Sequence, residues 1–123
     1  MNLLLDTHVF LWWRTDSVRL PRNVRTVVSR AESVLVSAAS GWEVAIKIAL
    51  GRLRLREPFG WMVDDSGFTA LPVTLVHTER LTLLPSHHRD PFDRMLIAQS
   101  QIEDLALVSD ETLFDAYSVE RVW

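Results

Sequence analysis

The 123-residue sequence predicts an α/β fold around a mostly parallel sheet, on two observations. Short apolar runs alternate along the chain with segments whose apolar residues recur at helical spacing, the pattern of successive strand–helix–strand units. The runs "NLLL", "SVLVSA" and "LALVS" are also nearly continuous in their hydrophobicity, as strands buried on both faces are.

The elements follow in order. Asn2–Leu5 reads as a first buried strand that stops at Asp6, and "THVFLWW" as the helix after it. Pro21 to Ala31 is a second helix, with Val24, Val27 and Val28 on one face and Pro21 as its opener. "SVLVSA" is the second strand. Ser40 then opens a helix with the stripe Trp42, Ala45, Ile46, Ala49 and Leu50, closed by Gly51. "REPFGWMVDDSG" holds a short amphipathic helix, "FTALPV" the third strand, and "TLVHTERLTLL" a helix from near Thr74. "PSHHRD" is a loop that Asp90 and Pro91 convert into a strong helix reaching about Ile102. "LALVS" is the fourth strand, "DETLFDAY" a short helix and "VERVW" a last edge strand.

Composition bounds the function. A length of 123 residues suits one domain, residues 1–123, with a real core, and 48% hydrophobic against 24% charged residues excludes a disordered chain. No apolar run approaches the roughly 18 residues of a membrane span, and the N-terminus lacks a secretory pattern, so the cytoplasm is expected. The absence of cysteine excludes disulfides, thiolate metal sites and cysteine nucleophiles. A net charge of −3 does not mark a nucleic-acid binder. Lys47, Arg52, Arg54 and Arg56 nevertheless cluster, and such a patch steers polyanions when it is more than solvated surface.

Four acidic spots stand where a strand ends or a helix begins: Asp6, Glu43, Asp90 with Asp93, and Asp110 with Glu111. Singly, each has an ordinary structural role. Asp6, Asp90 and Asp110 suit helix N-caps, and Ser40-x-x-Glu43 suits a capping box. Glu43 and Lys47 form an i,i+4 pair. Together the acids require more. In a parallel α/β sheet the carboxyl ends of the strands share one edge, where ligands usually bind. Carboxylates gathered there repel one another unless a cation neutralises them, and an all-oxygen set suits Mg²⁺ or Mn²⁺. Asp93 has Leu96 and Ile97 on its own helical face, so it is expected to point inward, with only Arg89 and Arg94 nearby as cations.

The stretches "LLLDTHVFLWW", "SAASGWEVAIKIALGRL", "HRDPFDRMLIAQS" and "LALVSDETLFDAYSVERVW" resemble the PIN-domain ribonucleases, and most closely their VapC-type toxin branch. The resemblance runs from Leu3 to Trp123 and lies in the ordered set of motifs rather than in any one of them. It implies a three-layer α/β/α sandwich, a Mg²⁺- or Mn²⁺-dependent endoribonuclease, RNA as substrate and a small VapB-like antitoxin as inhibitor. By position, the first family acid falls on Asp6, the second on Glu43 and the third on Asp93, with Asp90 as an additional acid. The fourth position is shared: Ser109, Glu111 and Phe114 fit the family spacing, while Asp110 occupies the intervening place.

The chemistry this implies is metal-assisted phosphodiester hydrolysis. Asp6 and Asp93 would be direct ligands, Glu43 and Asp110 or Glu111 would hold waters, and Thr7 and Ser109 would support them. His8, His87 and His88 are expected as packed or solvated side chains. The tryptophans Trp12, Trp13, Trp42 and Trp61 are expected as core or interface groups, with base stacking as the functional alternative. The aromatic, apolar helices point to a homodimer and to an antitoxin groove on "THVFLWW" and "GWEVAIKIALGRL". The competing reading is an inactive RNA- or protein-binding module on the same fold, which would be marked by a lost acid. A receiver domain would need a strand ending in lysine, a nucleotide triphosphatase a G-x-x-x-x-G-K-[ST] loop, and a haloacid-type phosphatase a second acid where His8 stands.

Overall fold

The computed structural model describes residues 1–123, in which five strands, six α-helices and one 3-10 helix follow one another. They are β1 (Asn2–Leu5), α1 (Thr7–Arg14), α2 (Arg22–Arg30), β2 (Ser33–Ser37), α3 (Ala38–Ala49), α4 (Phe59–Asp65) and β3 (Thr69–Leu71), then α5 (Leu75–Leu81), α6 (Pro91–Glu103), β4 (Ala106–Val108), the 3-10 helix (Thr112–Ala116) and β5 (Arg121–Val122). The strands form one sheet in the order β3-β2-β1-β4-β5, and every neighbouring pair is parallel.

The consecutive leucines of β1 are explained by its central place. Leu3 and Leu5 enter the core built with Val9 and Phe10 of α1, Val24 and Val28 of α2, and Met62 and Val63 of α4. Leu4 enters the opposite core, with Leu96, Ile97 and Ala98 of α6 and with Phe114 and Tyr117. All three are fully buried, so both faces of the strand are covered and the sheet is the middle of three layers. Helix α6 is embedded over six consecutive residues, Met95 to Ser100.

One element differs from its sequence reading in a way that matters for the site. Helix α3 starts at Ala38, capped by Ser37, whose hydroxyl accepts from the Ala39 N–H at 3.0 Å. Ser40 is therefore no N-cap, and Glu43 is released from any capping box. Packing against the sheet also sets which face of the helix is buried. Ala39, Ser40 and Val44 face inward, while Trp42 is 64% exposed and Ile46 and Leu50 are also exposed. The expected apolar stripe is an outer face. Gly51, at φ +72, closes the helix in the left-handed region where glycine costs nothing.

The remaining differences are of extent: β3 and β5 are shorter than the runs that announced them, and "DETLFDAY" winds as a 3-10 turn. Helix α5 is held to α6 by His77, buried completely, whose ring bonds the Thr74 N–H and Glu103, each at 3.0 Å. No helix is long and apolar enough to cross a membrane.

Because Leu4 fills the core from the central strand, Leu4→Ala is expected to cost about 3–5 kcal/mol. The test is urea unfolding, which should shift to a lower midpoint with little change in slope.

Candidate active site

Strand β1 ends at the carboxyl edge of the sheet, and the Asp6 N–H still bonds the Val108 carbonyl of β4 at 3.0 Å. Asp6 thus sits between two strand ends and is only 5% exposed. Its carboxylate caps α1, with the His8 N–H at 3.3 Å, and accepts a 2.6 Å hydrogen bond from the Ser109 hydroxyl at the end of β4. Thr7, beside it, donates to the buried Ser40 hydroxyl of α3 at 2.7 Å, which pins the start of α1 to α3.

Asp93 arrives from the first turn of α6. Asp90 caps that helix, accepting from the Phe92 and Asp93 N–H groups at 2.9 Å each, and Pro91 fits the first turn. The Asp93 carboxylate is 2.8 Å from Nε2 of His88. With His88 Nδ1 facing the Asp90 N–H at 3.5 Å, Nε2 carries the proton and donates to Asp93. His88 is half-buried, so the expectation of a solvated loop histidine is corrected. Its spacing from Asp93 spans a loop and a helix start, so no regular periodicity marks the contact in the sequence.

Arg94 is not the partner of Asp93. Its guanidinium bonds the carbonyls of Pro85 and His88 at 2.9 and 3.2 Å, and lies 3.3 and 3.4 Å from those of Leu81 and Leu84. The Tyr117 hydroxyl accepts from the His87 and His88 N–H groups at 3.1 and 2.8 Å and donates to the Pro85 carbonyl at 2.9 Å. Between them, a planar fork and a phenol fold the loop that presents His88.

The electrostatics record the crowding. Burial, and then the charges of Asp6 and Asp90, push Asp93 up to about 7 against the opposing pull of His88. Burial also raises Asp6; the Ser109 hydrogen bond and His8 oppose this, and Glu43 adds to it. Asp6, Glu43, Asp90 and Asp93 therefore act on one another. Glu43 is paired with Lys47 at 3.2 Å. Lys47 is thus drawn from the predicted basic patch to the acids, while Arg52, Arg54 and Arg56 are exposed in the segment after α3.

The fourth corner stays apart. The Glu111 N–H donates to the Ser109 hydroxyl oxygen at 3.0 Å, and the Glu111 carboxylate caps the 3-10 helix by accepting from the Leu113 N–H at 3.0 Å. Asp110 is exposed. The charges of both fall on Arg121, which is held bidentately by Asp115 at 2.8 and 3.0 Å and bonds the Ser109 carbonyl at 3.1 Å.

No three of these side chains close on a common point tightly enough to grip an ion as they stand. The donor chemistry nonetheless fits a hard divalent cation. The set is all oxygen, and its two inner carboxylates, Asp6 buried and Asp93 half-buried, act on each other with no arginine or lysine bonded to either. The cations that do bind here spend themselves on Glu43 or on backbone carbonyls.

Residues 3–120 match the model of the PIN domain family. Ribonuclease VapC22 of Mycobacterium tuberculosis is 28% identical over 100 residues, which cover 79% of this chain and 77% of that protein. Among solved structures, VapBC2 from Rickettsia felis, bound to a DNA fragment from its promoter, contains a chain of the same fold at TM-score 0.74 and 12% identity, covering 99% of this chain and 98% of that one. A toxin–antitoxin complex from Klebsiella pneumoniae superposes at TM-score 0.68 and 16% identity, with 99% and 97% covered. FitAcB from Neisseria gonorrhoeae gives TM-score 0.68 and 16% identity, with 98% and 96% covered.

The raised Asp93 has a measurable consequence in metal-free protein. Between the ordinary carboxyl value of 3.8 and about 7 the folded state holds a proton that the unfolded chain has lost. The contribution of Asp93 is thus fully stabilising below the lower value and is lost as pH rises through the upper one. Asp93→Asn is expected to remove this fall from the thermal unfolding profile. Mg²⁺ or Mn²⁺ should raise the wild-type melting temperature more at about pH 8 than at about pH 5.

Proposed function

Since the chain belongs to the PIN domain family, we propose that it is a divalent-cation-dependent endoribonuclease and the toxin of a toxin–antitoxin pair. The observation that carries the reading is the pair Asp6 and Asp93. They are delivered from β1 and α6 to one place, Asp6 buried and Asp93 half-buried, and act on each other without an arginine or lysine partner. Stacked acids of this kind destabilise a fold for no structural return, and a phosphodiester hydrolase needs them.

Asp6 and Asp93 would hold a Mg²⁺ or Mn²⁺ ion directly. When bound, such an ion acidifies its water and neutralises charge on the phosphate oxygens. Ser109 holds the Asp6 carboxylate at a fixed angle, and His88 does the same for Asp93. Glu43, steadied by Lys47, accepts hydrogen bonds from the attacking water and sets its line of approach. Glu111 lies one hydroxyl away from Asp6 through Ser109, and with Asp110 it forms the rim toward incoming RNA. Asp90 serves α6 as its cap and lends only its charge to Asp93.

A small antitoxin is the partner that restrains the enzyme, and a second copy of the chain is the companion in a dimer. Of the two segments expected to dock a partner, α1 buries Thr7, Val9 and Phe10, whereas α3 turns Trp42, Ile46, Ile48 and Leu50 outward. Beside Trp42 lies an apolar groove of about 350 Å³, walled by Val73, Leu81, Phe92 and Met95. An apolar antitoxin segment lying there is one helix away from the acids. An arginine at its end would pair with a carboxylate in a fork and compete with the cation.

Purified protein is expected to cleave single-stranded RNA with Mg²⁺ or Mn²⁺ and to stop in excess chelator. Asp93→Asn should abolish cleavage. Asp90→Asn should retain most of it, because asparagine also caps a helix. The reverse ranking would exchange the two roles, and undiminished cleavage in chelator would remove the metal from the reading.

Trp42→Glu with Ile46→Glu is expected to lose co-purification with the co-expressed small neighbouring gene product. RNA cleavage by the free variant should persist. Capture at the wild-type level would move the partner off α3.

A further inference from the structure

A second feature adjoins the acids, and its aromatic side chains have no part in the chemistry above. His8, Trp12, Arg19, Asp110, Glu111 and Trp123 bound an open groove of about 580 Å³. Its floor is aromatic. The rings of Trp12 and Trp123 lie 6.1 Å apart with a 57° tilt, and the His8 ring is also 6.1 Å from that of Trp12. The Arg19 guanidinium sits 6.0 Å over the Trp12 ring.

Trp123 stands one residue beyond β5 and is 37% exposed, so a large apolar face is left in water beside a cation. The groove opens directly toward the site: His8 Nδ1 is 3.9 Å from the Asp6 carboxylate, and Asp110 follows Ser109. Its acidic wall repels phosphate, while its rings attract a flat, neutral π-face. Arg19 offers a guanidinium to the backbone of a strand whose base lies on those rings.

From this geometry we propose that the groove is a base-stacking subsite for an unpaired nucleobase of the RNA, next to the scissile phosphate. The base lies on the open face of Trp123, with Trp12 behind it, and its own phosphate turns toward Arg19. The proposal rests on the ribonuclease reading and adds substrate positioning to it. It also makes unpaired RNA the preferred form, since a base held in a duplex cannot reach the rings.

The test uses the full chain and a short fluorescein-labelled single-stranded RNA. Anisotropy in Ca²⁺ measures binding, and cleavage in Mn²⁺ measures KM and kcat. Trp123→Ala is expected to weaken binding about 5- to 100-fold, mostly as a rise in KM, with Trp123→Phe recovering much of it. An abasic residue walked along the oligonucleotide should weaken wild-type binding at one position, and in Trp123→Ala that position should no longer matter. A merely structural tryptophan would not produce this coincidence. Unchanged binding and KM in Trp123→Ala, with wild-type RNA cleavage intact, would overturn the subsite and leave the ribonuclease standing. Loss of antitoxin capture with RNA binding unmoved would also overturn it and assign the groove to a protein. Wild-type protein that neither binds nor cuts RNA would remove both readings together.

Discussion

A central parallel strand covered on both faces can place a polar side chain only at its ends, and the site depends on that constraint. β1 is such a strand: Leu3, Leu4 and Leu5 are fully buried and alternate between the two cores. The first position free to carry a charge is Asp6, and there the strand has reached the carboxyl edge shared with β2 and β4. The same constraint brings Ser37 and Ser109 to the ends of the two neighbouring strands. Ser37 starts α3, and Ser109 joins Asp6 to the fourth strand. Placement of the acids is thus a by-product of packing the sheet.

That placement leaves a charge problem, which the molecule solves only around its margins. Glu43 has Lys47, and Asp115 has Arg121. Asp6 and Asp93 receive a hydroxyl and an imidazole instead, groups that orient a carboxylate without cancelling it. Arg94 lies near enough to be an obvious counter-ion and is taken up by carbonyl groups of the 81–88 segment. An arginine paired with Asp93 would cancel its charge. The diversion of Arg94 to loop carbonyls keeps the loop folded and the acids unneutralised.

The central strands and the strong helix from Pro91 were legible because their signals are local: continuous apolar runs, and an Asp-Pro start before an apolar face. The start of α3 was not. Ser37 and Ser40 are both good caps, and the choice falls on Ser37 because β2 pairs with β3 up to Ser37↔Leu71, a long-range fact. The stripe on α3 is an outer face because the small residues Ala39 and Ser40, with Val44, are the ones packed inward, which its apolar periodicity does not reveal. His88 was unreadable for a similar reason: its direction is set by Tyr117 and Arg94, which reach it only in the folded chain. Asp6 and Asp93 were readable as candidates because their positions at a strand end and a helix start follow from local pattern. Their mutual influence required the tertiary structure.

The 2.6 Å hydrogen bond between Ser109 and Asp6 spans 103 positions of sequence. On the ribosome, Asp6 is made well before β4. Until residue 109 has emerged, β1 lacks its neighbour on one side and Asp6 has neither Ser109 nor the Val108 carbonyl to hold it. Contacts of such long sequence separation also form late in folding. A nascent chain that stops short of Ser109 therefore carries Asp6 without the partners that orient it. A site that joins strands so far apart in sequence is thus a delay in time as well as a construction in space.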